Sequence, residues 1–373
     1  MPPLYLLVKP ASSLCNMRCK YCFYHDVVSH RQLQSCGMME DSTLEAMVRS
    51  ALQYADGDCA FGFQGGEPTL AGLDFYRRLL KLQKDYNVKG LRIHNSIQTN
   101  GMLIDDEWAG FLAENDFLVG LSIDGPKDIH DQFRLDSAGK GTHSRLMKTV
   151  SLLKKHNAAF NVLCVVNNAV ARYGRRVYNF FKQQGIGYLQ FIPCLDPLDD
   201  SSYPYSLTAE RYAGFLKTTF DLYYEDVKNG SYVSIRNFDN YVSLLMGQPA
   251  ENCGMNGVCS CCCVVEGDGS VYPCDFYVLD RYCMGNVHTQ SFDQMIHSDT
   301  AAAFVAPSRY VDEACRACRW FPICKGGCRR HREPFVEGRP GLNRFCAAYQ
   351  AFFPYALPRL RELAAIAQMM RAP

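Results

Sequence analysis

The chain has 373 residues, a net charge of +1, 48% apolar and 21% charged residues, an ordinary globular composition with material for one large core or a core and an appendage. A charge near zero, without a run of Lys and Arg, gives no field that would gather a polyanion, which speaks against a nucleic-acid partner. No uncharged apolar run reaches the ~20 residues that span a bilayer, and no basic leader precedes an apolar stretch, so a cytoplasmic protein without a membrane partner is expected.

Six short β-rich runs mark the first half: Leu4 to Lys9, Cys59 to Gln64, Leu91 to Thr99, Phe117 to Ile123, Phe160 to Val166 and Tyr188 to Ile192. Most read as nearly continuous apolar stretches, as in parallel strands covered on both faces. Helical segments lie between them. The first opens with Ser42 and Glu45 at capping-box spacing, and others cover roughly Asp74 to Tyr86 and Ser144 to His156. Alternating strand and helix predicts an α/β fold.

Six units fall short of a closed eight-stranded barrel, which leaves a partial barrel or an open doubly wound sheet. In both, chemistry gathers at the C-terminal ends of the strands. That rule sends Cys15 to Cys22, Gly65 to Pro68, Asn100-Gly101, Asp124 to Pro126 and Leu195 to Pro197 toward one cleft. From about Ser231 the alternation fades and cysteines crowd together, so a core domain over 1–230 and a second domain over 231–373 are expected. A closing segment, Tyr349 to Met370, reads as an amphipathic helix broken by Pro354 and Pro358.

The chain carries 19 cysteines. Their odd number and the expected reducing compartment favour metal or cluster ligation over disulfides. Cys15, Cys19 and Cys22 stand as Cys-x3-Cys-x2-Cys in one loop after a strand. Soft thiolates at this density select zinc or iron–sulfur clusters. A structural zinc site needs a fourth ligand, which His25 supplies on one reading. A 4Fe–4S cluster held by three thiolates instead keeps one iron open for a chelating small molecule.

The triplet, with Tyr21 just before its third cysteine, resembles the signature of the radical S-adenosylmethionine (SAM) superfamily, in which the open iron binds the amino and carboxylate groups of SAM. Gly65-Gly66-Glu67-Pro68 is similar to that family's second motif, where backbone receives the methionine amino group and a side chain would block the approach. The resemblance further implies SAM contacts at Tyr21, Tyr24, Ser122, Arg134 and Leu195. A surface cation is the plainer reading of Arg134, and a core residue that of Leu195.

Cys315, Cys318, Cys324, Cys328 and Cys346 read Cys-x2-Cys-x5-Cys-x3-Cys-x17-Cys, and upstream Cys259 is followed by Gly269 and Cys274. This order resembles the SPASM domain, the twin-cluster extension of radical SAM enzymes that modify peptides and proteins. The resemblance implies a partial (β/α)6 barrel followed by a cysteine-rich domain with two auxiliary clusters. It assigns Cys253, Cys259, Cys274 and Cys328 to the first and Cys315, Cys318, Cys324 and Cys346 to the second. The run Cys261-Cys262-Cys263 beside Cys259 departs from the pattern and leaves the register open there, while Cys59 and Cys164 read as small buried hydrophobes. A series of zinc knuckles is the alternative for this half.

Phe63 to Gly72, Gln98 to Gly101, Cys253 to Gly257, Tyr272 to Tyr277 and Lys325 to Arg329 are most similar to the anaerobic sulfatase-maturating enzymes. That family oxidises a Cys or Ser side chain of a sulfatase precursor to Cα-formylglycine. The resemblance implies three 4Fe–4S clusters and SAM, a substrate with a Cys/Ser-x-Pro-x-Arg motif, and an electron donor such as flavodoxin or ferredoxin. Asp275 takes the place of the family's general base, although an Asp there also suits a loop or cap. Gln64, Asn100 and Arg236 are candidates to bind the substrate backbone, and Tyr24 borders the cleft. A SPASM enzyme that crosslinks a ribosomal peptide through a thioether or carbon–carbon bond is the alternative enzyme, and an electron-transfer or zinc-binding module the non-enzymatic one.

Overall fold

The computed structural model describes residues 2–199, 202–231 and 233–371. The six expected strands are all present: β1 (Leu4–Val8), β2 (Asp58–Phe63), β3 (Arg92–Thr99), β4 (Leu118–Ser122), β5 (Phe160–Val166) and β6 (Tyr188–Pro193). Shorter strands follow at β7 (Ser234–Ile235), β8 (Val264–Val265), β9 (Ser270–Tyr272) and β10 (Gly285–Asn286). Two compact units emerge, one of residues 1–122, 131–160 and 261–304, the other of 123–130, 161–260 and 305–373. Among the described residues no helix is long and apolar enough to cross a membrane.

In the first unit β1 to β4 run parallel in chain order, with Val8 opposite Phe63, Phe63 opposite Ile97 and Thr99 opposite Leu121. The far edge of β1 takes β8 in parallel, and β9 and β10 extend it antiparallel. Residues from 261 on therefore return to the first strand, which places Cys274 and Asp275 in the unit that holds Cys15 to Cys22.

The strands are not buried alike on both faces. In β2, Cys59, Phe61 and Phe63 are fully buried, and the Phe63 ring meets Phe75 and Tyr76 of the helix Gly72–Tyr86 at 6.2 and 5.1 Å. Ala60, Gly62 and Gln64, on the opposite face, are half-buried. A strand that packs helices with one face and borders a cleft with the other must carry small or polar side chains on the second. The apolar run in the sequence hides that division because Ala and Gly read as core residues.

Two helix expectations are corrected. The helix Asp41–Tyr54 begins ahead of Ser42, with Glu40 at its cap and no capping side chain. Glu45 instead accepts a hydrogen bond from the Tyr86 hydroxyl, so it is not free to close a box. In the second unit, where β5, β6 and β7 pair in parallel, the helix Cys346–Arg371 continues through Pro354 and Pro358. Each internal proline costs about 3 kcal/mol, and burial offsets it: Phe352, Phe353, Ala356 and Leu360 are fully buried, with Phe352 edge-on to Phe220 of the helix Ala209–Lys228 at 5.6 Å.

Candidate active site

The loop that leaves β1 is folded on itself by Ser12 N–H to Lys9 O (3.1 Å) and Leu14 N–H to Ala11 O (2.9 Å). It then lies along residues 133–136, since Arg18 and Lys20 donate to the carbonyls of Leu135 and Phe133 at 2.8 and 3.0 Å. Cys15, Cys19 and Cys22 are all half-buried on this loop, and Cys22 caps the helix Phe23–Ser29. Arg134 is no surface cation: it is buried, its guanidinium 5.5 Å from the Tyr21 ring centroid.

The Gly65 to Pro68 turn is pinned to the same loop. Gly66 N–H donates to Ser12 O at 2.9 Å and Glu67 N–H to Leu14 O at 2.8 Å. A Cβ on Gly66 would stand 2.0 Å from the Leu14 carbonyl oxygen, so glycine is demanded by the approach of two loops and not only by an incoming ligand. Glu67 turns its carboxylate inward, accepting from Thr69 N–H and hydroxyl, the Thr99 hydroxyl and Asn100 N–H at 3.1, 2.6, 2.6 and 2.7 Å. Burial pushes this carboxyl up from the usual range while the Thr69, Thr99 and Asn100 donors pull it down.

Asn100, at the end of β3, donates from Nδ2 to Asn16 Oδ1 at 2.7 Å and to Cys15 Sγ at 3.7 Å. The Ser122 hydroxyl, ending β4, accepts from Gln98 at 3.0 Å. The loops after β1, β2 and β3 thus close on the cysteine triplet, as the strand-end rule predicts.

Fit to a cluster follows from these donors. Burial lifts the Cys15 thiol to about 11, opposed by the Met17 N–H and the Asn100 side chain. Such a sulfur is held as a thiolate once a cation binds it. No disulfide joins any cysteine of the described residues.

Beside the triplet stands a second group. Asp275 Oδ2 accepts from the Tyr24 hydroxyl and from Gln64 Nε2, both at 2.6 Å, and Gln64 also donates to the Tyr24 oxygen at 2.8 Å. Tyr24 enters because it follows Cys22 at the start of its helix, Gln64 because it ends β2. Burial, followed by the Asp275 charge, drives the Tyr24 hydroxyl well above its ordinary value and keeps it a donor. Lys9 Nζ lies 3.5 Å from Asp275 Oδ1 and 3.6 Å from Glu266 Oε1, and Arg31 Nη1 meets the same Glu266 oxygen at 2.8 Å. Sequence reasoning missed Lys9, Glu266 and Arg31. One signal was present, a lysine closing an otherwise apolar strand.

In the second unit Cys328 feels the charges of Cys253 and Cys259, and Cys324 those of Cys315, Cys318 and Cys346, while Cys274 lies in the first unit. Cys328 is pushed up to about 12 by burial and then by the charges of Cys253 and Cys259, and a Cβ on Gly254 would lie 3.3 Å from Cys328 Cβ. Cys324 is raised to about 11 by burial and then by Cys346, Cys315 and Cys318. Burial raises the Cys259 thiol, while Ser308 and then the buried Arg329 and Arg332 draw it partly back down, and such cations suit anionic thiolate clusters.

Leu195 follows β6 half-buried, and Arg236 donates to Gln190 Oε1 at 2.9 Å. Asp124 accepts Val165 N–H at 2.9 Å, and the Asp196 carbonyl accepts from Arg330 at 2.6 Å, so both loop aspartates serve local structure. Cys59 and Cys164 are fully buried in β2 and β5, as small hydrophobes.

Residues 10–171 match the Radical SAM superfamily, and residues 253–319 match SPASM, an iron–sulfur cluster-binding domain. Over 366 residues the chain is 50% identical to a cysteine-type anaerobic sulfatase-maturating enzyme of Clostridium perfringens (strain 13), covering 98% of this chain and 99% of that one. The chain belongs to the anaerobic sulfatase-maturating enzymes. A serine-type member from Bacteroides thetaiotaomicron is 32% identical over 95% of this chain and 90% of its own. The maturase fold matches a solved structure of native anSMEcpe with bound AdoMet and Cp18Cys peptide at TM-score 0.94 and 49% identity, covering 98% of this chain and 100% of that one. Streptococcus suis SuiB bound to precursor peptide SuiA, 14% identical over 92% of this chain and 76% of that one with TM-score 0.64, shares the fold alone. As a maturase the chain is a radical SAM enzyme with an iron–sulfur SPASM domain, which sets aside the electron-transfer and zinc-knuckle readings of its cysteines.

Proposed function

We propose that this maturase oxidises a Cys side chain, and with lower preference Ser, in a Cys/Ser-x-Pro-x-Arg segment of a sulfatase precursor to Cα-formylglycine under anaerobic conditions. One observation carries the reading: a carboxylate, Asp275, held on one oxygen by Tyr24 and Gln64, with the other buried 3.5 Å from Lys9, next in the chain to a cysteine of the auxiliary set. The 50% identity to a cysteine-type relative against 32% to a serine-type one supports the order of preference.

Cys15, Cys19 and Cys22 would hold the SAM-binding 4Fe–4S cluster. Cys253, Cys259, Cys274 and Cys328 would hold one auxiliary cluster, and Cys315, Cys318, Cys324 and Cys346 another. When bound, SAM and the first cluster would supply, with one electron from a reductant and release of methionine, a 5′-deoxyadenosyl radical that takes hydrogen from the target Cβ, and the auxiliary clusters would accept the electron which the carbon radical gives up. Asp275 receives the S–H or O–H proton as that electron leaves. A Cys target becomes a thioaldehyde, which water hydrolyses with release of sulfide, and a Ser target becomes the aldehyde directly.

Gly65, Gly66, Tyr21, Ser122, Arg134 and Leu195 are assigned to SAM, with Glu67 acting through its backbone because its carboxylate is consumed. Gln64 and Tyr24 orient Asp275, Asn100 steadies Cys15, and Arg236 contacts the substrate. Residues 1–230 form the radical domain and 231–373 the auxiliary domain, working in the cytoplasm with a flavodoxin- or ferredoxin-type donor.

The test is anaerobic reconstitution with a Cys-x-Pro-x-Arg peptide and capture of an aldehyde product. Asp275→Asn is expected to keep 5′-deoxyadenosine formation while formylglycine falls by about 10²–10⁴-fold, the usual span of general-base contributions. A crosslinked peptide, or SAM cleavage by the native chain without aldehyde, would overturn the assignment.

A further inference from the structure

We infer that an arginine-lined cavity in the second unit docks an acidic one-electron carrier protein. The inference rests on the donor reading given above and adds the surface that such a donor uses.

The cavity measures about 500 Å³, and its wall includes Arg172, Tyr173, Arg175, Arg176, Glu210 and Arg211. Arg172 and Arg176 lie 5.5 and 5.4 Å from the Tyr173 ring centroid, and Arg176 grips Asp128 at 3.0 and 3.1 Å. Arg175 and Arg211 make no ion pair among the described residues. Four guanidiniums therefore face two carboxylates, Asp128 and Glu210, on a chain whose net charge is only +1.

Local preference runs against this arrangement. The helix Gly174–Gln183 carries Arg175 and Arg176 in its first turn, with no acidic residue there and no capping side chain. The helix Ala209–Lys228 carries Arg211 in its first turn. Unpaired N–H groups already make the start of a helix positive, so a cation there is disfavoured. Three arginines add their charge to two helix ends instead of offsetting it. Sequences break a local rule of this kind where function asks for it, and what these residues supply is a positive potential reaching into solvent.

The wall is also open. All four arginines are exposed, and Gly214, in the same wall, has empty space where a side chain would stand. A small-molecule pocket encloses most of its ligand, whereas electron-transfer partners meet through small, exposed patches of matched charge. An acidic protein surface fits this wall better than a free phosphate compound does.

From the cavity the packing leads to a cysteine. Tyr212, next to Arg211, is only 1% exposed, and its ring lies 5.0 Å from Phe345 and 6.1 Å from Tyr349. Those two residues bracket Cys346, which is assigned to the second auxiliary set. A carrier seated on the arginines thus rests on the helix that packs against this ligand segment. It gives up one electron to the enzyme, and no bond or proton changes hands in the encounter.

Arg175→Glu combined with Arg211→Glu reverses two charges at positions where a carboxylate favours the helix, so the fold is spared. The iron-loaded enzyme is titrated anaerobically with an acidic flavodoxin and, separately, an acidic ferredoxin. Formation of 5′-deoxyadenosine is then measured with each reduced carrier and with dithionite. The double reversal is expected to weaken carrier binding about tenfold or more. Native binding should itself weaken as added salt shortens the screening length from ~30 Å at 0.01 M to ~10 Å at 0.1 M. The carrier-driven rate divided by the dithionite-driven rate should fall with the affinity, whereas general damage to the enzyme lowers both rates and leaves their ratio alone. Native affinity and a native ratio in the reversed variant overturn the surface while the donor reading stands. Binding of inorganic pyrophosphate that the reversed variant loses, with carrier binding untouched, makes the cavity a small-phosphate site and overturns the inference as well. A native chain that neither carrier reduces overturns the donor reading and the inference with it.

Discussion

Glu266→Gln removes the carboxylate that lies between two buried cations. Glu266 Oε1 is 2.8 Å from Arg31 Nη1 and 3.6 Å from Lys9 Nζ, and the three side chains are at most 4% exposed. With Asp275 at 3.5 Å from Lys9, the four charges sum to zero. Glutamine at 266 leaves two cations against one anion and turns a neutral amide toward a guanidinium. Leaving a buried charge uncompensated costs about 3–5 kcal/mol. At about 2 °C per kcal/mol for a large domain, the apparent unfolding midpoint of the iron-loaded enzyme should drop by roughly 6–10 °C in thermal scans at one fixed rate.

Combining Glu266→Gln with Arg31→Met removes a cation and an anion together and leaves Lys9 facing Asp275. The double variant should therefore be more stable than Glu266→Gln alone, a non-additivity that contacting charges produce and independent sites do not. A shift below about 2 °C for the single variant, or a double variant equal to the sum of the two singles, would refute the pairing.

The remaining expectations concern the cofactor sites. Gly66→Ala places a methyl group 2.0 Å from the Leu14 carbonyl oxygen, so the cysteine loop must shift. Overpacking of this kind costs about 1–3 kcal/mol of stability, and the displaced cysteine loop should lower SAM cleavage, so native rates of 5′-deoxyadenosine formation would contradict it. Cys324→Ala should reduce iron by about four atoms per chain and abolish formylglycine while SAM cleavage persists. Unchanged iron content on elemental analysis would remove Cys324 from the ligand set.

Much of the site was legible because its signals are local. Cys15, Cys19 and Cys22 sit within one loop, the Gly65 to Pro68 turn ends one strand, and the apolar runs mark β1 to β6 to within a residue. The helix Cys346–Arg371 shows the opposite case, because proline alone predicts a break and only the burial of Phe352, Phe353 and Leu360 overrides it. Glu45 likewise carried capping-box spacing, yet its partner is the Tyr86 hydroxyl, 41 residues away.

By itself the sequence determined which cysteines are available as ligands, where the strands lie and that a carboxylate follows Cys274, because spacing and alternation act over a few residues. Only tertiary structure decided what surrounds that carboxylate. Tyr24 and Gln64 lie 251 and 211 residues from Asp275 in the chain, and Lys9 reaches it because β8 returns to the edge of β1. Which oxygen is tied by hydrogen bonds and which faces Lys9, and whether the four charges cancel, depends on packing between segments distant in sequence. No local pattern records it.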